Sequence, residues 1–318
     1  MPPSHPTTVD DFISAARSAA TKRAYANDFA DFTAWCREGG EAALPASPIT
    51  VGRYLADRAH RLKPSTLNRR LAAIVVIHRQ AGCPLDARAP AIADVMAGIR
   101  RTIGTAPTQK DALSLEDIRL MVEAQPNTLT GIRDGAIILL GFAGAFRRSE
   151  LAALTTKDLA WSSDGVVVTV RRSKEAQEAN GSVRAIPFGI VATTCPVRAL
   201  RRWIMAAQLD GGPVFRRIDC FGNRFADGLS GDAIAQVVKK AIRLVGHQQG
   251  WTKAEITARV AAVAGHSLRA GFVTSAARAG AAEWNIMQHT GHRQISSVRR
   301  YIRRGDIFDT SPVSGIGL

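Results

Sequence analysis

The sequence has few cysteines and no cluster of them. Four cysteines occur in 318 residues, namely Cys36, Cys83, Cys195 and Cys220, and no two form a Cys-x-x-Cys pair. This spacing argues against a zinc site and against a disulfide scaffold. We therefore expect single buried thiols in a reducing compartment.

Long hydrophobic runs and nucleotide-binding motifs are also absent. No apolar run reaches the roughly 20 residues of a membrane span, and the segment MPPSHPTTVDDF has no apolar stretch of a signal peptide. The sequence contains no Gly-rich Walker loop and no carboxylate cluster suited to two magnesium ions. We expect a cytoplasmic protein that contacts no membrane and needs no metal or other cofactor.

Positive charge is the strongest compositional feature. Lys and Arg number 42 against 27 Asp and Glu, which gives a net charge of +15 and a pI near 10.6. So basic a protein usually meets a polyanion, most often DNA or RNA; the alternative is that the charge only aids solubility. The length and the 46% hydrophobic content fit two domains with real cores.

The first part of the chain has helical periodicity. Aromatic residues recur at spacings of three and four from Tyr25 to Trp35, and further amphipathic segments span residues 49–62, 64–78 and 90–101. A stretch rich in Gly, Pro and Thr follows. The predicted division is a flexible segment 1–20, a helical domain 21–103, a linker 104–111 and a second domain 112–318.

The second domain mixes helices with a few strands. Helices are predicted at 116–122 and, with glycine breaks, at 132–146. Alternating residues predict two strands at 166–170 and 183–188, and helices resume at Pro196. The predicted fold class is mainly α, with a helical bundle followed by an α+β domain that carries a small antiparallel sheet.

Four pieces of the second domain contain candidate catalytic residues. They are GAFRRSEL with Arg147 and Glu150, Lys174 in a polar loop between the strands, HSLR with His266 and Arg269, and Gly291-His292 followed nine residues later by Tyr301. Each piece alone has an ordinary explanation, such as a structural ion pair, a solvated lysine or a core tyrosine. The prediction depends on the whole set and its order.

This ordered set resembles the tyrosine recombinase (phage integrase) family, and more closely its Cre-like simple site-specific recombinases. The family is marked by Arg, Lys, His-x-x-Arg, His or Trp, and Tyr in this order, and the helical first domain is similar to its core-binding, SAM-like domain. The resemblance implies cleavage and rejoining of DNA through a 3′-phosphotyrosine intermediate at Tyr301. Because that intermediate conserves the phosphodiester bond energy, no cofactor is required.

The chemistry explains these residue types. Arginine forks suit the charge that builds on the phosphate oxygens, so Arg147 and Arg269, together with His292, are expected to hold the phosphate. By analogy Lys174 protonates the leaving oxygen, and His266 assists the nucleophile as a base or orienting partner. Glu150 is expected to orient a neighbouring catalytic side chain.

DNA contacts are predicted in both domains. The resemblance implies double-stranded DNA with an inverted-repeat site, bound by a homotetramer that is a monomer or weak dimer when free. In the first domain an outward-facing group is predicted to read bases, contact phosphates or simply be solvated, and arginines near the nucleophile are predicted to hold the backbone. The group in the first domain is Lys22, Arg23, Asn68, Arg69 and Arg70. The arginines near the nucleophile are Arg299, Arg300, Arg303 and Arg304.

Two departures from the family and two rival functions stay open. About twenty residues precede the first helix, so no arm-binding domain is expected, and Pro312, Gly315 and Gly317 predict a non-helical tail. Type IB topoisomerases share the chemistry but relax DNA as monomers. The other rival is a DNA-binding protein whose site is inactive.

Overall fold

The computed structural model describes Thr8 and residues 16–104, 110–171 and 182–305, apart from the side chains at 300 and 302–305. The chain forms two compact units, Met1–Thr108 and Gln109–Leu318. The tail predicted to be non-helical lies after Gly305, outside the described residues.

The described part of the first unit is a bundle of four helices, as the periodicity predicts. They are α1 (Ala19–Glu38), α2 (Pro48–Arg58), α3 (Pro64–Gln80) and α4 (Pro90–Ile103). The last three each begin with proline, whose missing N–H has no cost in the first turn of a helix. Phe32, Leu55, Leu67 and Ile74 are fully buried between the helices.

The second unit contains nine helices and five strands within the described residues. In chain order they are α5 (Leu115–Glu123), α6 (Leu129–Ala143), α7 (Arg148–Ala153), β1 (Leu159–Trp161), β2 (Gly165–Val170), β3 (Ser182–Pro187), α8 (Pro196–Ala206), β4 (Arg216–Ile218), β5 (Arg224–Gly228), α9 (Gly231–Gln248), α10 (Lys253–Ala262), α11 (Ser267–Arg278), α12 (Glu283–Thr290) and α13 (Ile295–Gly305). A short 3₁₀ turn, Thr156–Asp158, precedes β1.

Two small antiparallel sheets flank the helices. The first has the order β1-β2-β3, and Val168 of β2 lies opposite Arg184 of β3. The second pairs β4 with β5. The two strands expected from alternation are present, whereas β1, β4 and β5 were missed because strands of three to five residues show too little alternation. The predicted fold class, mainly α with a small antiparallel sheet, is confirmed.

Helix α6 forms the centre of the second core. Ile137, Ile138 and Leu140 are fully buried, as is Trp203 of α8, whose indole N–H donates to Val214 O at 2.8 Å. The prediction that glycines interrupt this helix was wrong, because the helix runs continuously to Ala143. Its end positions the first candidate catalytic arginine.

Two expectations from composition concern the whole chain. None of the described helices is both long and apolar enough to cross a bilayer. All four cysteines are free thiols. Cys36 and Cys195 are buried as expected, whereas Cys83 is only partly buried and Cys220 is exposed because it lies in the turn between β4 and β5.

Candidate active site

A strained turn after α6 places Arg147. Ala145 is fully buried and has a left-handed φ of 46°, a conformation that costs a non-glycine residue free energy of order 1–3 kcal/mol. Arg147 then caps α7, and its backbone N–H and its Nη1 donate to the two carboxylate oxygens of Glu150 at 2.9 and 2.7 Å. The arginine is therefore held at both ends by one carboxylate.

The Glu150 carboxylate is itself buried, with 3% of the residue exposed. Burial alone would raise its pKa, but the charge of Arg184 and the hydrogen bonds from Arg147 outweigh burial and lower the pKa below its ordinary value. Glu150 therefore stays ionised next to Arg147; its expected role in orienting a catalytic side chain stays a prediction.

The start of α11 supplies His266 and Arg269. His266 immediately precedes the helix, and Arg269 lies in its first turn. Arg269 is fully buried, and its Nη1 donates to Ala145 O at 2.8 Å. Its Nε and Nη2 are buried donors without a hydrogen-bond partner among the described residues. Unsatisfied guanidinium donors are costly, so Arg269 is suited to bind an anion.

Like charges reinforce this preference for an anion. Burial, followed by the charges of Arg147 and Arg184, lowers the pKa of Arg269 to about 10. Arg269 thus remains charged at neutral pH next to two other guanidinium groups. Glu150 is the carboxylate that opposes this field, and an incoming phosphate would reduce the repulsion.

Tyr301 lies on α13, which returns its side chain to the start of α11. The Tyr301 hydroxyl is 2.6 Å from His266 Nε2. The ring of Tyr301 lies 6.0 Å from that of His266 and 6.3 Å from that of His292, measured between centroids. Burial, then the charges of Arg269 and Arg147, lower the pKa of His266. The neutral ring can accept the phenolic proton through Nε2.

His292 follows a left-handed turn at Gly291, which has a φ of 69° and ends α12. His292 Nδ1 is 2.6 Å from Thr290 Oγ1, and the threonine hydroxyl donates to Ile286 O, also at 2.6 Å. Since a hydroxyl has one hydrogen, His292 Nδ1 must donate in the first contact. In the neutral ring Nε2 is then an acceptor.

The charge state of His292 follows from its surroundings. Burial, then the charges of Arg269 and Arg147, lower its pKa to about 3. The ring is neutral in the DNA-free protein. Donation to a phosphate through Nε2, the role expected for His292, therefore requires proton uptake when the anion arrives.

The structure brings five of the six predicted catalytic residues into one site. They are Arg147, His266, Arg269, His292 and Tyr301. The sixth, Lys174, lies outside the described residues. The last described residue before it is Arg171, which pairs with the buried carboxylate of Asp158.

Only some of the predicted DNA-contacting residues of the first unit are exposed. Lys22, Arg23 and Asn68 are exposed. Arg69 is half-exposed but donates twice to Asp28, at 2.8 and 2.9 Å.

The prediction that Arg70 faces outward was wrong. Only 14% of its side chain is exposed, and its Nη1 donates to Asp31 and Tyr54. The carboxylate of Asp31 also accepts a hydrogen bond from Arg58. The half-buried Asp31 and the buried Asp28, whose Oδ1 lies 3.8 Å from Arg70 Nε, hold Arg70 in the bundle.

The arginines that flank Tyr301 are described only in part. Arg299 is half-exposed and forms an ion pair with Glu283 at 3.0 Å. The side chains of Arg300, Arg303 and Arg304 lie outside the described residues. Their contacts with the DNA backbone stay predictions.

Sequence reasoning missed three residues of the site. Arg184 of β3 is 1% exposed and bonds to Glu150, and Thr290 holds His292. His289 contacts Ala143 O at 2.8 Å and stacks on Phe272. The alternation of β3 contained a signal for Arg184, since it lies on the same face as the buried Ile186; an arginine on that face requires a buried acceptor.

Comparison with known proteins gives the same picture. The model of the phage integrase family matches residues 112–306, and the phage integrase N-terminal SAM-like domain matches residues 11–81. The chain is 38% identical over 292 residues to an integrase/recombinase XerD homolog of Selenomonas ruminantium, covering 91% of this chain and 82% of the relative. It is 26% identical to the recombinase Cre of Escherichia phage P1, covering 86% and 81%.

Solved structures share the fold. A lambda integrase dimer bound to a core site superposes with a TM-score of 0.58 at 12% identity and covers 95% of this chain and 94% of that one. The XerH site-specific recombinase bound to a palindromic difH substrate gives 0.58 at 13% identity, covering 85% and 72%. The chain belongs to the phage integrase family and is a tyrosine recombinase.

Proposed function

We propose that this enzyme cleaves and rejoins double-stranded DNA at specific short sites through a 3′-phosphotyrosine intermediate at Tyr301. The observation that carries the proposal is the 2.6 Å contact between the Tyr301 hydroxyl and His266, close to a buried Arg269 with two unpaired donors. This arrangement joins a nucleophile, a proton acceptor and an anion site.

The reaction is an in-line displacement at phosphorus. The Tyr301 oxygen forms a bond to phosphorus, and the bond from phosphorus to the 5′-oxygen breaks. The phenolic proton passes to His266 Nε2, and Lys174 donates a proton to the leaving oxygen. Arg147, Arg269 and protonated His292 stabilise the charge on the nonbridging oxygens. Rejoining reverses the steps with a 5′-hydroxyl as the nucleophile.

The partner and assembly belong to the same proposal. The helical domain 21–103 and the catalytic domain 112–318 both bind the DNA. Exposed cations of the helical domain, such as Lys22 and Arg23, contact the duplex. An inverted-repeat site would pair protomers, and two such sites would form a tetramer. Integration, excision and resolution all use this exchange.

The first experiment finds a DNA site and traps the intermediate. Protection mapping on DNA that flanks the encoding gene identifies the bound sequence. A substrate of that sequence with a nick just beyond the cleavage position lets the short fragment that carries the new 5′-hydroxyl diffuse away, so religation fails and the adduct accumulates. We expect the wild-type protein to form a denaturant-resistant protein–DNA adduct, and Tyr301→Phe to bind the site without forming one.

Each other outcome supports a different function. An adduct formed by Tyr301→Phe would mean that another residue is the nucleophile. A wild-type protein that protects DNA but gives no adduct would be a DNA-binding protein with an inactive site. Relaxation of supercoiled plasmids that lack the target would favour a type IB topoisomerase.

A further inference from the structure

Arg184 is a buried cation that lies behind the candidate active site. It is on β3, and 1% of it is exposed. Its Nη1 donates to Gly144 O at 2.6 Å, and its Nη2 donates to Glu150 Oε2 at 3.0 Å and to Thr290 O at 3.3 Å. Its guanidinium also lies over the Phe146 ring, 4.5 Å from the centroid. One side chain therefore contacts groups that are far apart in the sequence.

These acceptors belong to the segments that carry candidate catalytic residues. Gly144 begins the strained turn that leads to Arg147, and Glu150 holds the Arg147 side chain. Thr290 precedes the turn to His292 and bonds to that ring. A planar guanidinium with donors on a rigid fork fixes several acceptors at once, which a lysine cannot do.

Stability alone is a weak reason for this arrangement. Burying an ion pair costs about as much desolvation free energy as the attraction returns. Arg184 also adds a third positive charge beside Arg147 and Arg269, which raises the repulsion within the site. Fixing several acceptors at once offers a better reason for an arginine at this position.

We propose that Arg184 is a positioning residue of strand cleavage, which holds Arg147 through Glu150 and His292 through Thr290. This inference rests on the proposed function, since it concerns the same reaction. Both Nη atoms of Arg184 donate to protein acceptors, whereas its Nε is buried without a hydrogen-bond partner among the described residues. Because only 1% of the residue is exposed, we place Arg184 behind the phosphate site and not in it.

The test compares the cleavage rate with DNA affinity on the nicked substrate. We expect Arg184→Met to lower the single-turnover rate at saturating DNA about 10- to 100-fold, the effect of losing one or two buried charged hydrogen bonds. The dissociation constant for the site should change less than threefold, because the phosphate-binding donors remain. Arg184→Lys keeps the buried charge without the fork, and should also cleave slowly.

Arg133→Met is the matched control. Arg133 is another buried arginine of the second unit, which pairs with Asp134 and donates to Arg216 O at 3.0 Å. This control should lower the unfolding temperature but cleave at the wild-type rate wherever it is folded. Glu150→Gln combined with Arg184→Met tests the route, since losses that act through one carboxylate overlap and do not multiply.

The outcomes separate the two proposals. An unreactive wild-type protein overturns the proposed function itself. A reactive wild-type protein whose folded Arg184→Met and Arg184→Lys variants cleave at the same rate overturns only the positioning role. Equal loss of rate in the folded Arg133→Met control would assign the effect to general stability.

Discussion

Thr290 shows how a single hydroxyl sets the chemistry of a neighbouring ring. It is fully buried, donates to Ile286 O and accepts from His292 Nδ1. This pair of contacts fixes which nitrogen of the neutral ring carries hydrogen. The free nitrogen, Nε2, is thereby the one that takes up a proton.

A conservative pair of variants tests this role. Thr290→Val keeps the volume but leaves His292 Nδ1 without its buried acceptor, whereas Thr290→Ser retains the hydroxyl. We expect the valine variant to cleave the nicked substrate about 10- to 100-fold more slowly, the cost of one unsatisfied buried group. The serine variant should stay within a few fold of wild type. Equal rates for valine and wild type would remove Thr290 from the site.

Residue types and order were predictable at this scale, but partners were not. The ordered set from Arg147 to Tyr301 could be read from the sequence because the motif is linear. Arg70 was misplaced because its partner Asp31 is 39 residues away in the chain. An ion pair with a residue on another helix produces no periodic pattern in the sequence of the helix that carries the arginine.

At the scale of elements, α11 depends on close approach to the chain before α5. A Cβ added at Gly271 would overlap the carbonyl of Leu113 and lie 3.1 Å from the Phe142 ring. Arg269 is two residues earlier on the same helix, so this close approach also constrains where Arg269 lies. The glycine is required here by space and not by backbone conformation.

Gly271→Ala should therefore destabilise the second unit. Alanine gains up to about 1 kcal/mol in helix propensity, but overpacking costs about 1–3 kcal/mol, so a net loss is expected in urea denaturation. Gly135→Ala in α6 is the control, because its Cβ would meet only a side-chain carbon of Gln125 at 3.9 Å. If both variants gained stability, the close approach would not be a constraint.

Elements differed in how well the sequence predicted them. Long amphipathic helices such as α1 and α3 follow from local periodicity, and their bounds agree with the prediction within a few residues. The three-residue strands β1 and β4 exist only because a partner strand supplies their hydrogen bonds. No local pattern predicts such pairing.

At the scale of the whole molecule, three histidines of the candidate site link stability to pH. His266, His289 and His292 all have lowered pKa values, first through burial and also through nearby arginine charges. Folding therefore favours the neutral rings. For His292 this contribution is present above its ordinary pKa of 6.5 and is lost as the pH falls towards about 3.

The DNA-free protein should accordingly lose stability on acidification from pH 7 to pH 5. Urea denaturation at both values measures the fall, and His292→Gln should show a smaller fall than wild type because it lacks the group with the lowest pKa. Carboxylate protonation affects both proteins alike and cancels in the comparison. An identical fall in the two proteins would contradict a neutral, half-buried His292.

The amino-acid sequence by itself determined the helices, the basic character and the ordered set of candidate catalytic residues, because composition, local periodicity and the order of residue types can all be read along the chain. Only the tertiary structure decided which side chains meet. It placed the Tyr301 hydroxyl on His266, although 35 residues separate them. It also buried Arg184 among acceptors from three segments, as far away as Thr290. Such contacts arise when burial forces a charged group to find a distant partner.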